Sequence, residues 1–166
     1  MLFRSNVSLL HLHDNYRKLI DADPNELQIS IDGATKETFE KIRRGSNFEK
    51  VVENCKLIND YCRQKGVERT KMWVVLQRDN IHEMIQLVQL SAEMGFKSMV
   101  FSLNLSDWGQ DKWNVVNREA TVDRTLTREA IEKAVATGNQ VGVKVAFWNI
   151  TSKYNSNVAQ KRCPWP

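Results

Sequence analysis

The chain has 166 residues, 42% hydrophobic and 27% charged, the composition of an ordinary globular protein with room for one core but hardly two. Its 24 basic and 20 acidic residues leave a net charge of +4 with no block of five like charges, which argues against a nucleic-acid arm or a polybasic membrane patch. No apolar run is long enough to span a bilayer, and the opening MLFRSNVSLL carries no signal-peptide pattern, so the cytoplasm is the expected compartment.

In chain order, Leu2 to Ser5 is a candidate strand, and a helix is expected from about Leu9 to Ala22, stopped by Pro24. Glu26 to Ile31, ELQISI, reads as a strand. Ser46 and Glu49 form a capping box that opens a helix with Phe48, Val51, Val52, Cys55, Ile58 and Cys62 on its apolar face, closed by Gly66. Lys71 to Leu76 reads as a strand, and its unbroken apolar run from Trp73 suggests burial on both faces. Asn80 with Glu83 repeats the cap signal and starts a helix carrying Ile81, Met84, Ile85 and Val88, which Gly95 closes. Ser98 to Leu105 is a further strand, Arg128 to Val141 a helix and Val143 to Ile150 a last strand. Such alternation gives an α/β fold of parallel, right-handed units. Pattern alone leaves barrel and open sheet both possible.

Ser30, Asp32 and Gly33 stand at the tip of the Glu26–Ile31 strand as S-I-D-G. Period-two geometry points Ser30 and Asp32 to one side, where a hydroxyl and a carboxylate can bind a ligand's ribose, amine or carboxylate. The competing reading is an Asp-Gly turn whose carboxylate caps the next helix. Arg43 and Arg44, before Gly45, can fork onto a carboxylate or simply occupy a solvated helix end. Cys55 and Cys62 fall on the apolar face of one helix, a core placement rather than a metal-site spacing. His11, His13 and His82 lack any metal-binding spacing. The long polar stretch after Leu105 leaves the end of a strand where ligands usually bind, and Trp108 and Trp113 within it either cover a substrate or roof the core. Cys163 stands alone in C-P-W-P at the chain end. Three cysteines in all suggest a reducing compartment or a partial metal set. Phosphate-loop, dinucleotide and serine-hydrolase motifs are absent.

The segment from Leu27 to Asn54, LQISIDGATKETFEKIRRGSNFEKVVEN, resembles the middle of radical S-adenosylmethionine enzymes that carry a SPASM extension, and the C-P-W of Cys163 to Trp165 is similar to the start of that extension. The resemblance implies a partial (β/α) TIM-like barrel over residues 1–160 and the beginning of a truncated SPASM region over 161–166. It implies Ser30 and Asp32 facing S-adenosylmethionine, Gln77 and Leu105 bordering its ribose and adenine, and Cys163 as one metal ligand of an auxiliary iron–sulfur cluster. The parent reaction it implies is reductive cleavage of S-adenosylmethionine to a 5'-deoxyadenosyl radical that modifies a peptide, protein or small-molecule substrate.

One departure is decisive. The C-x-x-x-C-x-x-C motif that supplies the catalytic 4Fe-4S cluster is absent, so most cluster ligands are expected outside this chain, and the chain by itself is expected not to cleave S-adenosylmethionine. A fragment of a radical enzyme is the first reading. A non-catalytic barrel remnant binding a partner or a nucleotide-like ligand is the alternative. Half a barrel leaves unpaired edges, so self-association or dependence on a missing N-terminal half is expected.

Overall fold

The computed structural model describes residues 2–103, 119–122 and 125–148. Five parallel strands, β1 (Leu2–Ser5), β2 (Glu26–Ser30), β3 (Thr70–Val75), β4 (Ser98–Ser102) and β5 (Lys144–Trp148), lie side by side in sequence order. The helices are α1 (Asn15–Asp21), α2 (Lys36–Ile42), α3 (Phe48–Gln64), α4 (Met84–Glu93) and α5 (Arg128–Val141). None among the described residues is long and apolar enough to cross a membrane.

Register separates the two faces of the sheet. Ile29, Met72, Met99 and Val145 form one row across β2 to β5. Together with Ile20 of α1, Phe39 of α2, Cys55 and Ile58 of α3, Leu87 and Val88 of α4 and Ala134 of α5, that row belongs to a single core. Each large apolar side chain so buried contributes roughly 1.5–3 kcal/mol. The alternate row, Ser30, Trp73, Val100 and Ala146, points the other way. Helices on one face and strands in sequential order are the wiring of a barrel segment; a doubly wound sheet reverses its order and covers both faces. The fold is α/β with a partial, TIM-like barrel sheet.

Several boundaries differ from the sequence reading, each for a local reason. His13 and Asp14 adopt left-handed φ of 50° and 56°, so the first stretch breaks into a short 3-10 turn at Leu12–Asp14 and then α1. Asn47, not Ser46, caps α3, its Oδ1 accepting from the Lys50 amide at 2.8 Å, while Glu49 turns to Lys36 at 2.9 Å. Of the apolar run in β3 only Met72, Val74 and the following Leu76 are buried; Trp73 and Val75 stay half-buried because no described element covers their face. β4 ends at Ser102 rather than Leu105. Gly95, at φ +85°, turns the chain so tightly against α3 that a Cβ there would sit 3.1 Å from Asn59 Cβ. Asn59 in turn donates to the Met94 carbonyl at 2.7 Å.

Candidate functional site

Parallel strands bring all their C-terminal ends to one rim, and the S-I-D-G tip stands there at the end of β2. Ser30 is half-buried on the inner face, level with Trp73, and among the described residues its hydroxyl has no hydrogen-bond partner. Asp32, two residues on, is only 4% exposed. Its carboxylate is fully engaged: Oδ2 accepts from Arg43 Nε at 2.7 Å and Nη2 at 2.6 Å, and Oδ1 accepts from the Val75 amide at 2.7 Å. Burial pushes this carboxyl above its ordinary range, and the Arg43 charge and the Val75 amide pull it back only part of the way. The carboxylate does not cap α2. Thr35 does, its side chain accepting from the Thr38 amide.

Asn80 completes the stitching of the two strand ends. It is fully buried, donating to the carbonyls of Asp32 and Val75 at 2.9 Å each and accepting from the Gln77 amide at 2.8 Å. The expected cap is therefore a clamp, because each buried backbone group at the rim needs a partner and Asn80 serves three of them. Glu83 serves a second loop. Its carboxylate accepts from the Ala34 amide and from the hydroxyls of Thr35 and Thr38, each at 2.6 Å. Burial pushes the Glu83 carboxyl up, but the hydroxyl and amide donors outweigh it and hold the group below its ordinary 4.5. Gly33 lies so close to α2 that a Cβ would meet the Phe39 backbone nitrogen at 2.4 Å.

Of the remaining residues singled out from sequence, Gln77 lies in the rim turn, its carbonyl accepting from the amides of Asn80 and Ile81. Arg43 joins Asp32; Arg44 is exposed and does not. Leu105, Trp108, Trp113 and Cys163 lie outside the described residues. Cys55 and Cys62 are buried in the core, and burial pushes both thiols up, far from the thiolate a metal needs. His11 Nδ1 accepts from the Asn54 side-chain amide at 3.2 Å, and His82 is exposed. Among the described residues no group of three or more His, Cys, Asp or Glu side chains is arranged to hold a metal ion.

Below the rim the inner wall is polar and aromatic. Arg4 donates to Gln28 at 2.9 Å with its guanidinium 5.1 Å from the Trp73 ring centre, and Gln28 donates to Glu26, which also pairs with Lys71. Trp73 packs on Trp148 at 5.6 Å between ring centres. A barrel wall with a free hydroxyl at its rim and a fixed acid–base pair beside it suits a polar ligand held at the strand ends.

The chain is similar to a maturase. It is 26% identical over 134 residues to mycofactocin maturase MftC of Mycolicibacterium smegmatis, a match covering 81% of this chain. The chain spans only 32% of that relative's length. No family model matches. Among solved structures, one from Anabaena variabilis described as a sugar phosphate isomerase/epimerase aligns over 88% of this chain and 53% of its own, with 14% identity and a TM-score of 0.41.

Sequence reasoning singled out Ser30, Asp32 and Arg43 but missed that the last two form a pair, and it took Asn80 and Glu83 for caps of their own helix. The available signal was composition: a buried Asn and a buried Glu just after a strand must find partners across the fold, and the nearest unpaired backbone is the neighbouring strand tip.

Proposed function

We propose that this chain forms one wall of a radical S-adenosylmethionine barrel, with Ser30 and the Gln77 turn facing the cofactor and Asp32 acting on Arg43 and Val75 rather than on the ligand. The observation that carries this reading is the S-I-D-G tip at the C-terminal rim of a one-sided parallel sheet, with the Ser30 hydroxyl unspent among the described residues. The resemblance of residues 27–54 and the distant similarity to a maturase over 81% of the chain support the same family.

The residues fit the two cofactor parts unequally. Ser30 offers a hydroxyl donor and acceptor to a ribose or amino-acid group, and bound S-adenosylmethionine would supply radical chemistry once an electron reaches it. The described cysteines do not fit an iron–sulfur cluster, being walled into the core. Cluster ligands then belong to other segments, with Cys163 the candidate in this chain for an auxiliary cluster. The inner face and the outer edges of β1 and β5, which no element among the described residues covers, suit a companion half or a second copy that completes the barrel. The lack of described cluster ligands favours, as a second reading, a remnant that binds a nucleotide-like ligand without turnover.

Titration of the chain with S-adenosylhomocysteine, followed by amide NMR, tests the binding reading. Shifts confined to Ser30 through Gly33 and Val75 through Gln77, weakened by Ser30→Ala, are expected; shifts elsewhere or none refute it. Deoxyadenosine formed by the reconstituted chain alone would refute the assignment of the catalytic cluster to other segments.

A further inference from the structure

The opposite end of the sheet carries an unusual row. One step below the apolar register, Arg4, Gln28, Lys71, Ser98 and Lys144 align across all five strands on the inner face. Barrel interiors are ordinarily layered with branched apolar side chains, and here one layer holds three cations and no acid. Arg4 is engaged by Gln28 and Trp73, and Lys71 by Glu26 from a neighbouring level. Lys144, and Lys97 just before β4, have no acid partner among the described residues. Their backbones touch, the Lys144 amide donating to the Lys97 carbonyl at 2.9 Å.

These side chains border an open hollow of about 680 Å³ whose wall also includes Lys71, Ser98 and one carboxylate, Glu68. Lys97 and Lys144 border the same hollow against the single carboxylate of Glu68, which leaves an excess of positive charge there that a bound anion relieves. Lys71 and Lys144 stand two strand spacings apart, roughly 10 Å at the backbone, which suits a ligand with two anionic groups better than a single one. We propose that this hollow binds a compact multivalent anion of the diphosphate class, held by Lys97 and Lys144 with support from Lys71 and the Ser98 hydroxyl. The lysine layer lies two residues below the Ser30 level on the same inner face, roughly 7 Å along the strands, and Lys144 is three strands across from Ser30, roughly 14 Å. Neither Ser30 nor Gln77 lines the hollow, so the site does not rest on the cofactor reading.

Isothermal titration of the chain with inorganic pyrophosphate at low ionic strength, with orthophosphate in a parallel arm, tests the site. Pyrophosphate is expected to bind at least ten-fold more tightly than orthophosphate, with affinity falling as salt is added. The double variant K97Q/K144Q is expected to weaken it at least ten-fold. K36Q is expected to leave it unchanged, because Lys36 pairs with Glu49 far from the hollow. Both site lysines are exposed, so the variants should fold, which circular dichroism verifies. No binding at millimolar pyrophosphate, equal affinity for the two anions, or binding that survives K97Q/K144Q overturns the proposal and leaves these lysines as solvated guards of an edge strand.

Discussion

Replacing Asp32 by Ala removes the acceptor that holds Arg43 and the β3 end at once. Breaking a buried ion pair by removing one partner costs about 3–5 kcal/mol. The Arg43 side chain is 26% exposed, so water recovers part of its hydration and that share falls to about 2–3 kcal/mol. The Val75 amide, left without its 2.7 Å acceptor, adds about 1–2 kcal/mol, for a total near 4 kcal/mol. With a urea dependence of about 2 kcal/mol/M, the unfolding midpoint should drop by about 2 M. Arg43→Ala should cost less, about 2–3 kcal/mol, because burial already favours the neutral Asp32 carboxyl, which can still accept from Val75. The double variant then shows a coupling of about 1.5–3 kcal/mol. Tryptophan fluorescence in urea measures all four corners of the cycle. Single-variant costs below about 0.5 kcal/mol, or strict additivity, would refute the claim that this pair fixes the rim.

Asn80→Ala should destabilise by at least about 2 kcal/mol, since three buried backbone groups lose their partner, and Asn80→Asp should be no better because both lost donors served carbonyls; urea unfolding checks both. Glu83 has a folded pKa held below its ordinary 4.5, so its contribution is complete above that value and fades as pH falls through the lower folded value. The stability gap between the native chain and Glu83→Gln should accordingly be widest near pH 7 and narrow steadily below about pH 4.5, as read from urea midpoints across the range. Gly33→Ala should cost about 1–3 kcal/mol or more, because its Cβ would collide with backbone rather than with a movable side chain; a thermal midpoint unchanged from the native chain would contradict it. Cys55 and Cys62 should resist a thiol reagent until urea unfolds the chain, burial having raised both thiols, and mass mapping of labelled peptides reads this directly.

The layers of the fold were legible where burial and period coincide. Val51, Cys55, Ile58 and Cys62 recur at helical spacing and all face the core, so α3 was readable almost to its ends. Arg128–Val141 was readable to the residue, because Thr127 supplies a cap and Gly142 a left-handed stop at φ 73°. Barrel against open sheet was not legible, because strand order and the side taken by each helix depend on pairing between distant segments, which local period cannot encode. The misread caps share a cause. Asn80 and Glu83 match the cap pattern, yet tertiary partners on the β2 tip and α2 offer more buried donors and acceptors than the helix they precede. Asn47 displaced Ser46 because the two are adjacent polar candidates, and only the turn at Gly45, φ +82°, decides which reaches the first helical amides.

The rim and the opposite end of the same wall are built on opposed principles. At the C-terminal rim nearly every polar group is spent: Asp32 on Arg43 and Val75, Asn80 on three backbone groups, Glu83 on Ala34, Thr35 and Thr38. Such saturation rigidifies a loop and leaves the Ser30 hydroxyl available to a ligand, the economy expected where a reacting group must be held in one geometry. At the N-terminal end Lys97 and Lys144 have no acid partner among the described residues and are water-accessible, so binding there is governed by charge and screened by salt rather than by a fixed geometry. A ligand at the first end should therefore be sensitive to Ser30→Ala at any ionic strength, and one at the second to salt before any single substitution. If the Ser30 end proves strongly salt-dependent and the lysine end does not, the division of labour drawn from these contacts is wrong.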